Sequence, residues 1–277
     1  MQTMPDFRFS AQSLQDYSDC PYRFELRYIQ KLDWPAEESQ PYLEYEQFRQ
    51  KGSLFHTCVD RYFHHVDPKA IENQLQDEEL RGWWQNFLDF IKEKQFKNAA
   101  SEIAFQTNLG NQVLMAKYDL LTQAEEGTFT IFDWKTNAGK KEPIRKFYAE
   151  RMQTHVYPYV LSKAAALSVE NKAIDPTQLK LVYWFPQFPV QSFSFPYSST
   201  IMQKDETLLS SLMQEIIQKE AGTFEKTEEK KRCSFCVYRS YCERGKQAGN
   251  LFKGEAEFDF DVEDLDLDIE KAEEISY

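Results

Sequence analysis

The chain has 277 residues with 42% hydrophobic and 15% aromatic content, enough for one large core or two modest ones. Its 9 Gly and 11 Pro are too few for a fibrous or disordered chain. No apolar run reaches the roughly 18 residues of a membrane span, and MQTMPDFRFS lacks the basic and apolar regions of a secretion signal, so the expectation is a cytoplasmic protein without a membrane partner. The net charge of −12 argues against a nucleic-acid partner only until it is located. Residues 251–277 hold 11 Asp/Glu against 2 Lys, so −9 sits in that tail and −3 in the other 250 residues. A local basic groove is compatible with that balance.

In chain order, the first hundred residues read as helices. Ser10 or Ser13 can cap a short one, Cys20-Pro21 breaks it, and a second follows. Residues 41–66 carry Phe48, Leu54, Phe55, Val59, Tyr62 and Phe63 at helical spacing, and residues 71–97 carry Trp83, Trp84, Phe87 and Ile91. Then the pattern changes. SEIAFQTNLGNQVLMAKYDLLT reads as a hairpin turning at Leu109-Gly110-Asn111, and TFTIFDWKT as a third strand. Residues 142–169 return to helix, KLVYWFP and VQSFSF are two more strands, and 199–220 is a helix. This order predicts an α/β domain, a mixed central sheet flanked by helices. The organisation is a helical part over 1–100, the core over 101–230, a cysteine segment over 231–250 and an acidic tail over 251–277, whose composition predicts disorder.

Asp133 and Lys135 lie two apart in the third strand and so share one face. Alone, they describe an ordinary ion pair at a strand end. Asp119 lies near the end of the preceding strand. If the two strands pair antiparallel, Asp119 and Asp133 converge. Two carboxylates without an Arg partner repel, and a divalent cation relieves the repulsion. Oxygen ligands suit Mg²⁺ or Mn²⁺, and Lys135 would then stabilise charge developing on a phosphate. His56 sits in the apolar helical stretch KGSLFHTCVDRYF, with Gly52 one turn before it opening that face to a ligand. A lone histidine on such a helix is more often a satisfied core residue. Gln153 and Tyr157 are four apart on the helix that follows the Asp133 strand. They can position Lys135 or contact phosphate, or simply form a polar helix edge.

Cys233, Cys236 and Cys242 follow a C-x2-C-x5-C spacing, which points to metal in a reducing compartment. Three thiolates need a fourth ligand, since zinc sites and iron–sulfur clusters both take four. Cys20, in the turn DCPYRF, and Cys58, within an apolar helix, are the donors at hand. Cys58 fits a buried thiol better, and ligation by Cys20 would pack the cysteine segment against the N-terminus.

Taken together, GSLFH at 52–56, AKYD at 116–119, DWK at 133–135 and QTHVY at 153–157 resemble the RecB-family nucleases of the PD-(D/E)XK superfamily. One N-terminal Cys followed by C-x2-C-x5-C near the C-terminus is similar to the iron–sulfur subgroup, which includes the AddB nuclease domain and the RecB-like exonucleases of CRISPR adaptation. The resemblance spans about residues 8–246. It implies a restriction-endonuclease-like core and Mg²⁺ or Mn²⁺ held by His56, Asp119, Asp133 and the carbonyl of Trp134, with Glu102 a further candidate. It makes Lys135 the catalytic lysine, with Gln153 and Tyr157 beside it, and Cys20, Cys233, Cys236 and Cys242 the ligands of a 4Fe-4S cluster, with zinc the alternative. Ala116 stands where the family often has Gly, and Tyr118 where the name-giving Pro would be.

The expected function is metal-dependent hydrolysis of DNA, on single strands or ends, in repair, recombination or CRISPR adaptation. The alternative is a noncatalytic nucleic-acid-binding or scaffold module that keeps the fold and cluster. Basic groups in GKKEPIRKFYAER would grip backbone phosphates, and aromatic side chains would stack on unpaired bases. The tail FDFDVEDLDLDIE would cover the protein's own groove or add a strand to a protein partner.

Overall fold

The computed structural model describes residues 7–33, 40–92, 94, 96, 98–136, 142–163 and 174–245. The acidic tail and Lys140 and Lys141 of the basic run lie outside the described residues. Strands β1 (Arg8–Ser10), β2 (Ala99–Leu109), β3 (Gln112–Gln123), β4 (Phe129–Trp134), β5 (Leu179–Trp184) and β6 (Ser192–Pro196) form one mixed sheet. β3 is its pivot. One edge of β3 is taken by β2, antiparallel from Ala99 opposite Thr122 to Leu109 opposite Gln112. The other edge is shared. β1 pairs with it in parallel at Val113–Met115, and β4 pairs antiparallel at Leu120–Gln123. β5 continues parallel to β4, and β6 lies antiparallel to β5.

Local chemistry explains these elements. The β2–β3 hairpin turns through Gly110 and Asn111, and Gly110 adopts φ +63°, the left-handed backbone such a tight turn requires. Helix α1 (Ala11–Asp19) starts at Ser10, whose Oγ accepts the Ser13 N–H at 3.1 Å while Ser13 Oγ accepts the Ser10 N–H at 2.9 Å. This reciprocal cap satisfies two donors that the first turn leaves open. It is followed by α2 (Pro21–Phe24), α3 (Gln40–Phe63), α4 (Pro68–Glu72), α5 (Glu78–Lys92), α6 (Arg145–Ala149), α7 (Met152–Ser162) and α8 (Ser199–Gln218). Among the described residues, no helix is long and apolar enough to cross a membrane.

Every residue of β4 is buried, which a strand covered on both faces requires. Phe129 and Ile131 enter one core, with α1, α2, α7 and α8. Phe132 and Trp134 enter the other, with α3, α4 and α5. The second core is largely aromatic. Phe87 of α5 has no exposed surface and lies 5.4 Å from Trp84, 5.6 Å from Trp134, 5.7 Å from Tyr62 and 6.2 Å from Phe55, centroid to centroid.

Three expectations are adjusted. Residues 8–10, placed in the helical part, form β1 in the sheet. Three residues are too few to show a period. The helix expected over 71–97 is two, because Asp67 caps α4 and Asp77 accepts the Leu80 N–H as α5 begins. The helix expected from 142 is also divided, into α6 and α7, at Glu150 and Arg151.

Phe87→Ala should cost about 3–5 kcal/mol of folding free energy, because the surrounding rings cannot collapse into the cavity. Urea unfolding of the variant measures this, and a loss under about 1 kcal/mol would mean that the second core is loosely packed.

Candidate active site

The site lies where β3 parts from β4. The ladder between them stops at Leu120 opposite Phe132, one step short of Asp119 and Asp133. The same step across the β2–β3 ladder sets Glu102 against Asp119, between the pairs Ser101–Leu120 and Ile103–Tyr118. Glu102, Asp119 and Asp133 therefore occupy one row across three neighbouring strands. The backbone departs from regularity here. Glu102 has φ +53°, a left-handed conformation that costs a non-glycine residue of order 1 kcal/mol. On β3, Leu114, Ala116 and Tyr118 pack into the first core, Leu120 into the second and Leu121 into the first again. The alternation of faces slips by one residue at Asp119.

Helix α3 brings His56 to this row. Its neighbour Phe55 is fully buried, edge-on to Trp83 and Phe87, which fixes the helix on its sheet face. One turn on, Asp60 accepts a 2.6 Å hydrogen bond from Ser101 Oγ, tying α3 to the residue preceding Glu102. The result is a trio. Ligand atoms of His56, Glu102 and Asp119 all lie within 4.8 Å of one another. His56 Nδ1 is 3.5 Å from Asp119 Oδ1, and the Trp134 backbone N–H donates to Asp119 Oδ2 at 2.7 Å. Burial pushes the Asp119 carboxyl up, but His56, that amide and Lys135 outweigh it and hold the group below the ordinary carboxylate range. Glu102 goes the other way. Burial and the Asp119 charge raise its carboxyl, and the ion pair with Lys117 and the nearby His56 only partly offset them. One imidazole and two carboxylates at this spacing suit a divalent cation such as Mn²⁺ or Mg²⁺.

Asp133 and Lys135 stand beside the trio. Their side chains are 0% and 1% exposed, and Lys135 Nζ is 2.6 Å from Asp133 Oδ2. Lys135 also donates to Gln153 Oε1 at 2.8 Å, and Gln153 Nε2 donates to the Tyr157 hydroxyl at 3.3 Å. Gln153 and Tyr157 thus share the α7 face that meets Lys135. Tyr118 Oη donates to the Tyr157 carbonyl at 3.0 Å, holding α7 to β3. The Trp134 side chain is buried in the second core and takes no part. The structure groups Glu102 with His56 and Asp119, and pairs Asp133 with Lys135.

Cys20, Cys233, Cys236 and Cys242 line one cavity, with Arg23, Arg232 and Lys226 on its wall. All four are free thiols. Burial pushes Cys236 up to about 11 and also raises Cys233 and Cys242, and neighbouring cysteines add to each shift. Thiols converging on one cavity with a cationic wall fit an anionic four-thiolate centre. Cys58 lies elsewhere, buried in the second core. Residues 19–32 and 225–238 meet around this cavity. Arg232 pairs with Asp19, the Tyr22 N–H donates to the Glu225 carbonyl at 3.0 Å, and Tyr238 Oη donates to the Leu32 carbonyl at 3.0 Å.

Sequence reasoning passed over Lys117, Asp60 and Ser101. Lys117 was within reach, since it stands two before Asp119 as Lys135 stands two after Asp133. Asp60 shares the His56 face of α3 at i+4, but nothing local links it to Ser101.

Residues 8–243 match the PD-(D/E)XK nuclease superfamily, and the chain belongs to it. Its mixed sheet flanked by helices is the restriction-endonuclease-like arrangement of that superfamily. A solved structure of an Eubacterium rectale protein, named as a candidate exonuclease, is similar in fold at 9% identity and a TM-score of 0.50, over 80% of this chain and 85% of that one. The crystal structure of SSO0001 aligns at 16% identity and a TM-score of 0.42, over 86% of each chain. No curated protein matches the sequence.

Mn²⁺ binding at the trio needs both carboxylates ionised and the His56 imidazole neutral, so affinity should fall as pH drops. Because the Glu102 carboxyl titrates above its ordinary range, its share of that loss should set in at a higher pH than an unperturbed glutamate, near ~4.3, would give. Mn²⁺ titration followed by electron paramagnetic resonance across pH measures this, and Glu102→Gln should weaken binding at neutral pH and lessen the pH dependence that remains.

Proposed function

We propose that the protein is a metal-dependent nuclease that hydrolyses phosphodiester bonds of DNA, on single strands or at ends. One observation carries this reading: the trio His56, Glu102 and Asp119 lies one residue across the sheet from Asp133 and its buried partner Lys135. Superfamily membership supports a nucleic-acid substrate, and the exonuclease name of the Eubacterium rectale neighbour accords with attack at ends.

His56, Glu102 and Asp119 would hold the cation, with the Asp133 carboxylate and the Trp134 carbonyl bordering it. When bound, a divalent ion supplies Lewis-acid stabilisation of the phosphate and acidifies water. The protein supplies the rest. The Trp134 N–H fixes the Asp119 carboxylate, leaving one oxygen toward His56. The Asp133 carboxylate pairs with Lys135 in a site that excludes solvent. Gln153 accepts from Lys135 and is itself steadied by Tyr157, so the ammonium has a fixed position. There Lys135 would donate to a non-bridging phosphate oxygen while water adds to phosphorus and the bond to the leaving oxygen breaks. The attacking water gives up one proton to solvent and the leaving oxygen takes one up, so the protons balance.

We assign Cys20, Cys233, Cys236 and Cys242 to a 4Fe-4S cluster that ties the N-terminal helices to the C-terminal segment, a structural role compatible with the pairing of Arg232 with Asp19. Protein purified anaerobically should be brown, with a band near ~400 nm, and Cys20→Ser should lose the colour. A colourless protein holding one zinc ion would replace the cluster with zinc.

The function is tested on labelled single- and double-stranded DNA with Mg²⁺ or Mn²⁺. Wild type should cleave, and Lys135→Ala should lower the rate about 10²–10³-fold, the scale of losing one preorganised donor, while binding Mn²⁺ normally. Wild-type protein that binds both metal and DNA but never cleaves would make it a binding module.

A further inference from the structure

A second lysine borders the trio. Lys117 lies on β3, two residues before Asp119, and its ammonium forms an ion pair with Glu102 Oε2. Glu102 thus belongs to two groupings at once, the trio with His56 and Asp119 and the pair with Lys117. The two lysines of the site differ in access. The Lys135 side chain is 1% exposed and tied to Asp133 and Gln153, whereas Lys117 is 37% exposed and Glu102 is 31% exposed. A half-exposed pair gives up its geometry at little cost, while a buried one does not. Lys117 also has a flexible four-carbon stem that can place its charge at several positions.

Electrostatics gives this pair a purpose. Glu102 and Asp119 face each other across the ladder, and their charges need a counter-ion. Lys117 supplies one positive charge. A divalent cation at the trio would meet the same need more fully and would repel the ammonium. The charge released has an evident destination, because a nuclease substrate brings phosphates to this place.

We propose that Lys117 is an exchangeable counter-ion, which neutralises Glu102 when the trio is empty and moves to a substrate phosphate when Glu102 turns to a divalent cation. The inference rests on the metal-dependent reading of the trio and adds a substrate contact to it. By linkage, Lys117 makes the metal and the nucleic acid strengthen each other's binding.

The test uses the full chain at pH 8 and two probes, Mn²⁺ alone and a phosphorothioate oligonucleotide that resists cleavage. In wild type, Mn²⁺ should tighten oligonucleotide binding at least about fivefold. It should also steepen the dependence of log affinity on log salt by roughly 0.7–0.9, the increment for one further phosphate contact. Lys117→Met should bind Mn²⁺ alone more tightly than wild type, because the competing cation is gone, and should lose the added salt dependence. Lys117→Arg should restore that dependence, which separates a charge contact from a folding defect. Unchanged Mn²⁺ affinity in Lys117→Met, or survival of the added salt dependence, overturns the exchange while leaving the trio's metal reading intact. Wild type that takes up no Mn²⁺ overturns both.

Discussion

Glu102 and Asp119 face each other across two hydrogen-bonded strands, within ligand distance of His56. Like charges held this close are the constraint around which the site is organised. Three positive or polar partners answer it in the described state: His56 on Asp119, the Trp134 amide on the same carboxylate, and Lys117 on Glu102. Each partner comes from a different place in the chain. The left-handed backbone at Glu102 belongs to the same account. A residue strained in this way persists only where its surroundings hold it, and the Ser101–Asp60 hydrogen bond immediately before it provides such a hold.

The fork in the sheet makes the arrangement available. β2 occupies one edge of β3 along its length, and β1 and β4 divide the other. Asp119 sits at the end of the β4 share, where the next ladder position is open and the Trp134 amide turns to a side chain. A continuous ladder would have spent that amide on a backbone carbonyl. The two cores then assign the remaining groups to opposite sides. Helix α7, packed in the first core, carries Gln153 and Tyr157 to Lys135, and α3, packed on the second, carries His56. The cysteine cavity lies apart from this row, between the N-terminal helices and the C-terminal segment. Its thiols would fasten the N-terminal helices to the segment around Arg232, as the pairing of Arg232 with Asp19 already does.

Much of this was legible in the residues themselves. The strand carrying Asp133 showed its alternation and the shared face of Asp133 and Lys135, and Gly110-Asn111 marked the hairpin that sets Asp119 beside Glu102. The i,i+4 spacing of Gln153 and Tyr157 placed both on one helix face, as observed. The mixed sheet flanked by helices was legible too, but the place of β1 in it was not. β1 is three residues long and carries no period, and its pairing with β3 depends on contacts a hundred residues away. The place of Glu102 beside His56 and Asp119 goes with a left-handed backbone at Glu102 and a slipped alternation at Asp119. Both are tertiary effects that no local pattern announces. Asp133 and Lys135 were seen to share a face, but the depth of burial that makes them partners follows from packing on both sides of β4.

At the fork of the sheet, His56, Glu102 and Asp119 are proposed to hold one divalent cation. Crystals of the full chain soaked in Mn²⁺, with diffraction recorded above and below the manganese absorption edge, test it most directly. The account predicts an anomalous peak flanked by those three side chains, with Lys135 at its border. A protein that binds Mn²⁺ in solution but places the peak at other residues would contradict it.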